Sequence, residues 1–72
     1  MTVKEVVKMF EGYEEFVDVY LVQGQIWITV IDCLGFDENW DAIEQEIPNE
    51  VYDRVSACEL AGIHVEYTSM DI

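Results

Sequence analysis

Positive charge is what this chain has least of. Three Lys and Arg stand against sixteen Asp and Glu, a formal net charge of −13 over 72 residues. Lys4 and Lys8 sit in the first segment, so Arg54 is the one base from Glu11 onward. A chain this acidic is repelled by DNA, RNA and anionic membrane, and is drawn to basic surfaces, above all a groove built to hold nucleic acid. Histidine is equally scarce. Any Ser–His or Cys–His arrangement would have to run through His64, whose neighbours at strand spacing are Gly62 and Glu66. No catalytic residue is expected. Cys33 and Cys58 are too few for a disulfide scaffold and lack CxxC or Cys/His zinc spacing, so both read as reduced, partly buried small apolar residues. The four glycines are scattered one to a turn, which leaves no phosphate-cradling loop. No apolar run approaches the roughly 18 residues needed to cross a bilayer. The opening segment carries Glu5 and no cleavage-like site, so it does not read as a signal peptide, and a cytoplasmic protein is expected.

What is present begins with apolar content. At 51% it is ample for a core, and the length predicts a single small domain near the lower limit for unaided folding. The strongest local signal is FVDVYLVQGQIWITVI, residues 16–31. Two alternating runs flank Gln23-Gly24, a hairpin turn. Leu21, Val19 and Val17 then face Ile26, Ile28 and Val30 on one side. Phe16, Asp18, Tyr20, Trp27, Thr29 and Ile31 fall on the other, with Tyr20 and Trp27 paired across the strands. The strands are expected over 16–22 and 25–34.

Thr2 and Glu5 form a capping box ahead of Val3, Val6, Val7 and Phe10 at helical spacing, with Gly12 as the C-terminal cap. A helix over Thr2–Glu11 is expected, packed on the sheet. Asp37 reads as an N-cap for a short acidic helix over 38–46, with Phe36 as a staple, Trp40, Ile43 and Ile47 on one stripe and Pro48 as the stop. Residues 49–61 fit two patterns. One is a turn and a strand over 55–59, followed by a hairpin into 63–68. The other is a helix capped by Asn49, with Val51, Val55 and Cys58 as its stripe and Gly62 as its C-cap.

The opening MTVKEVVKMFEGYEEFVDVYLVQG resembles a set of short, uncharacterised proteins of Firmicutes and their phages, which begin Met-Thr-Val-Lys-Glu and run through a short helix into a strand and turn. IPNEVYDRVSACELAGIHVEYT is similar to their closing pattern of a Val-rich strand, a Gly turn and a last strand, whereas 35–46 departs from it. The resemblance implies no activity. It implies a phage or mobile-element origin and a hairpin over 55–67. The resulting expectation is an α+β fold: an N-terminal helix packed on a four-stranded antiparallel sheet of two hairpins, with a short acidic helix between them.

Function then reduces to shape and charge. The segment Asp37-Glu38-Asn39-Trp40-Asp41 looks superficially like a calcium loop. It lacks the sharp-turn Gly and the closing Glu, so no metal and no cofactor are expected. Paired carboxylates such as Glu14-Glu15 have no neighbour that sets one apart for acid–base work. The leading expectation is a non-enzymatic, anti-CRISPR-like phage inhibitor, in which carboxylates on a rigid scaffold imitate nucleic-acid phosphates and occupy a basic protein such as a CRISPR nuclease, with no direct binding to nucleic acid or membrane. The expected contact residues are Asp37, Glu38, Asp41, Glu44, Glu46, Glu50, Glu14, Glu15 and Asp18. The alternative is a homodimeric assembly module using the sheet edge or an aromatic face, anchored by Tyr20 and Trp27, with Trp40 as a further anchor.

Overall fold

The Gln23-Gly24 turn and its flanking alternation do fold as a hairpin. β1 (Val17–Val22) and β2 (Gln25–Val30) pair antiparallel, with Val17 opposite Val30, Val19 opposite Ile28 and Tyr20 opposite Trp27. Gln23 and Gly24 both take positive φ, 51° and 79°, as a two-residue turn of this twist requires. The computed structural model describes residues 1–68, and they form an α+β arrangement of two helices and five strands in two sheets.

α1 (Val3–Met9) carries the expected capping box in full. Thr2 Oγ1 accepts the Glu5 N–H at 3.2 Å, and Glu5 Oε1 accepts the Thr2 N–H at 3.2 Å. Val6 and Phe10 are buried, but Val7 of the expected stripe is exposed. The helix is shorter than 2–11 because the chain turns at Phe10 and reverses through Gly12 at φ 88°.

α2 (Asn49–Leu60) settles the ambiguous stretch as a helix and corrects the expected hairpin over 55–67. Val51, Val55 and Cys58 recur at i, i+4 and i+7, and all three are buried. A strand over 55–59 would have turned Cys58 outward, so the helix buries more apolar surface. Pro48, rather than Asn49, occupies the N-cap position, and Gly62 at φ 87° follows the C-terminal end. β5 (His64–Tyr67) then runs parallel to β2, with Trp27 opposite His64 and Val30 opposite Tyr67. A parallel neighbour demands a crossover rather than a tight turn, and α2 supplies it.

The main sheet therefore has three strands, in the order β1-β2-β5, not four antiparallel ones. Both helices cover the same face. Val6 and Phe10 of the α1 segment and Val51, Val55 and Cys58 of α2 share one core with Val17, Ile28 and Val30, and Ile47 closes it. The alternation along 16–22 predicts Phe16 on the opposite face. This residue lies just before the strand and turns back to pack on this core. Arg54 ties the helices together: its Nη1 donates to the Met9 carbonyl at 2.6 Å, and its guanidinium lies 5.0 Å from the centre of the Tyr13 ring.

β2 stops at Val30, not at 34. Asp32 turns the chain into a separate two-stranded sheet, β3 (Cys33–Phe36) with β4 (Ala42–Glu44). This corrects the expected acidic helix over 38–46. Trp40 has φ 64°, a left-handed conformation that no α-helix accommodates, and Asp37 and Asp41 would sit as like charges one helical turn apart. Gly35, at φ 135°, lies within β3 at an irregularity in its pairing with β4 rather than ending a strand.

Candidate functional site

The β3–β4 hairpin is built around Asp37. Its Oδ1 accepts the N–H groups of Asn39 at 2.8 Å and Asp41 at 3.0 Å, while its own N–H donates to the Asp41 carbonyl at 3.0 Å. The carboxylate that reads as a helix cap thus closes a tight loop instead, the other local use of Asp. Every residue from Phe36 to Glu44 is exposed. Trp40 at the loop is 81% exposed and Leu34 59%, with Phe36 and Ile43 also open to solvent. The Phe36 and Trp40 rings do meet, 6.3 Å between centroids, but across a hairpin loop rather than along a helix. Four large apolar side chains are thereby interleaved with Asp37, Glu38, Asp41 and Glu44.

Two side chains hold the base of this hairpin. Gln45 Nε2 donates to the Ile31 carbonyl at 2.6 Å and to the Glu15 carbonyl at 3.2 Å. Thr68 Oγ1 accepts the Cys33 N–H at 3.0 Å and donates to Asp32 Oδ1 at 2.7 Å. A shallow groove of about 250 Å³ opens between the hairpin and α2, lined by Asp32, Cys33, Ala42, Glu44, Gln45 and Tyr52.

The expected contact residues fall into separate places. Asp37, Glu38, Asp41, Glu44 and Glu46 share the hairpin and its exit. Gln45 brings the backbone of Glu15 to the hairpin's base. Glu14 lies in the same loop, where the Gly12 N–H donates to its Oε1 at 3.1 Å; that bond holds the Glu14 carboxyl below its ordinary value. Glu50 is in the first turn of α2. Asp18, Tyr20 and Trp27 lie on the uncovered face of the main sheet, apart from the hairpin acids in the chain's architecture. There the Tyr20 hydroxyl and Thr29 Oγ1 are hydrogen-bonded at 3.0 Å. The Trp27 ring stacks on His64 at 3.9 Å, and His64 Nε2 lies 3.0 Å from Glu66 Oε1. Trp27 is half-buried with its Nε1 enclosed and unpaired, and Tyr20 is 37% exposed, so this pair offers less free apolar surface than the hairpin does.

Glu15, Asp18, Glu38, Asp41, Glu44, Glu46 and Glu50 make no side-chain hydrogen bond or ion pair among the described residues, and neither lysine nor Arg54 is paired with a carboxylate there. Sequence reasoning missed Leu34, Phe36 and Ile43 as surface residues, and missed the Gln45 and Thr68 clamps. The available signal was Asp-Glu-Asn between two apolar pairs, which is turn chemistry as much as helix-start chemistry. Cys33 is half-buried and Cys58 fully buried, both as free thiols. Among the described residues no group of three or more His, Cys, Asp and Glu is placed to hold a metal ion, and no helix is long and apolar enough to cross a membrane. No protein-family model, curated protein or solved structure matches the chain.

Proposed function

We propose that the chain is a non-enzymatic acidic binding protein that docks on a basic, nucleic-acid-binding surface of another protein, in the manner of a phage-encoded inhibitor of anti-CRISPR type. The observation that carries this reading is the β3–β4 hairpin. It is a loop closed by the Asp37 carboxylate that sets Trp40 in solvent, between Glu38 and Asp41, whose side chains are unpaired among the described residues. Carboxylates attract and orient a basic partner, and stand in for phosphates toward its Arg and Lys. An exposed Trp among such acids supplies the desolvated anchor that charge alone does not.

The test is binding to a purified RNA-guided nuclease such as Cas9, free of guide. Affinity is expected to fall at least about tenfold between about 0.05 and 0.2 M salt, as screening between exposed charges requires. Guide RNA is expected to compete. Trp40→Ala is expected to weaken binding by about 2 kcal/mol or more without changing the steepness of the salt response, whereas Glu38→Gln with Asp41→Asn flattens it. A complex indifferent to both salt and guide RNA overturns nucleic-acid mimicry.

A further inference from the structure

We propose that β1 is a self-association edge, through which two copies of the chain join their sheets about a two-fold axis at Val19. β1 is an outer strand of the three-stranded sheet. In a hairpin closed by a two-residue turn, Val22 and Gln25 exchange both backbone bonds. Alternate residues Asp18, Tyr20 and Val22 therefore face β2, while Val17, Val19 and Leu21 point their N–H and C=O groups outward. The next bond in the inward series, from the Ile31 N–H to the Phe16 carbonyl at 2.8 Å, is present. The outward groups of those three residues find no partner outside the ladder among the described residues.

Edge strands are normally blunted by charged side chains, lysine above all, by a proline, a bulge or a covering element. VDVYLV has no lysine and no proline, its single charge is Asp18, and its register with β2 is unbroken from Val17 to Val22. Leu21, on the face that the helices cover elsewhere, is left 57% exposed at this edge.

The occupant is a second copy for two reasons. The antiparallel register centred on Val19 keeps the two faces of the joint sheet in phase. Val17 meets Leu21 of the second copy, and Asp18 meets Tyr20 rather than another Asp18. The second reason is charge. α1 packs on β1 and carries both lysines of the chain, and the groove along it is lined by Lys4, Val7, Lys8, Glu11 and Glu14. Negative charge is thereby diluted on this side of a −13 chain, so two copies repel each other less here than where acids stand alone. The product is a six-stranded sheet, β5-β2-β1 continued by β1-β2-β5 of the second copy.

This inference concerns the chain alone and stands or falls separately from the proposed partner. Sedimentation equilibrium from about 10 to 500 µM is expected to show a monomer–dimer equilibrium that tightens with added NaCl, because the self-repulsion of two acidic chains is screened. Partner binding would respond to salt in the opposite direction. Amide exchange at Val17, Val19 and Leu21 is expected to slow as concentration rises, while Asp18 and Tyr20 stay protected throughout. Leu21→Glu replaces the apolar contact with Val17 of the second copy by a charge on an already exposed position, and is expected to raise the dimer dissociation constant at least about tenfold with unchanged circular dichroism. Val19→Cys in a Cys33→Ser background is expected to form an intermolecular disulfide across the axis faster than Leu34→Cys in the same background. A monomer at about 500 µM in about 0.5 M NaCl, or concentration-independent exchange at Val19 and Leu21, overturns the proposal, as does a dimer that Leu21→Glu leaves intact.

Discussion

Gln45 shows how much of this architecture rests on single polar contacts. Its amide reaches two backbone carbonyls, of Ile31 and Glu15, that the change of sheet at 31–33 leaves without strand partners. Gln45→Ala removes both donors, and the expected cost is about 1–2 kcal/mol, concentrated in faster amide exchange over 33–44 with little change at α2. Ile28 is fully buried between both helices. Ile28→Ala is expected to cost about 2–5 kcal/mol. A chain of this length has about 4–10 kcal/mol in total, so the variant should be largely unfolded by urea concentrations that leave the parent intact. Two buried or half-buried acids weaken the fold at alkaline pH. Burial lifts the Cys58 thiol above the ordinary 9.0. Burial first, then the charges of Glu59, Tyr52 and Asp32, lift Tyr67 above 10.0. The folded chain keeps these protons where the unfolded chain has lost them. Stability from this source is therefore complete below about pH 9 and falls as the pH rises past 10. Urea midpoints at about pH 8 and 10.5 should show the decline, and Cys58→Ala should lessen it.

At the scale of elements, α1 is too short to persist alone and is held at both ends. The Thr2–Glu5 box satisfies its start, and Arg54 satisfies the Met9 carbonyl at its finish, where a cation also suits the helix dipole. Arg54→Ala is expected to lower stability by about 1.5–3 kcal/mol, with Arg54→Lys recovering only part because Lys lacks the planar group that lies over Tyr13. Calorimetry of the three proteins would rank them. The one base of the later chain thus serves the fold and does not neutralise the acidic hairpin. That hairpin illustrates the limit of periodicity. Asp37, Trp40, Ile43 and Ile47 have helical spacing, yet the loop bonds of the Asp37 carboxylate and the positive φ of Trp40 make a turn instead. Trp40→Gly is expected to leave the fold intact and to stabilise the loop by about 0.5 kcal/mol, since glycine takes positive φ freely, while removing the proposed anchor.

For the molecule as a whole, the dominant fact is charge that is not compensated internally. Among the described residues no lysine or arginine is paired with a carboxylate, and the one close contact between a basic and an acidic side chain joins His64 and Glu66. Screening should therefore stabilise the fold. Thermal midpoints are expected to rise with NaCl, by about 4–8 °C for each kcal/mol of repulsion removed. The same excess makes every proposed encounter salt-dependent, weakening contact with a basic partner and strengthening contact between copies.

The sequence by itself determined the local features. The capping box, the Gln23-Gly24 turn, the register of β1 on β2 and the net charge all follow from residues close together along the chain, because their energetics are settled within a few bonds or across one tight turn. Only the tertiary structure decided the rest. Residues 49–61 satisfy a helix and a strand almost equally well in isolation. The choice was made by burial, since only a helix places Val51, Val55 and Cys58 together on the sheet and carries the chain back to lay β5 parallel to β2. The same holds for Leu34, Phe36, Trp40 and Ile43. An apolar residue becomes a surface feature only when the core is already filled by others, and here Val6, Ile28, Val30, Val51 and Val55 fill it first.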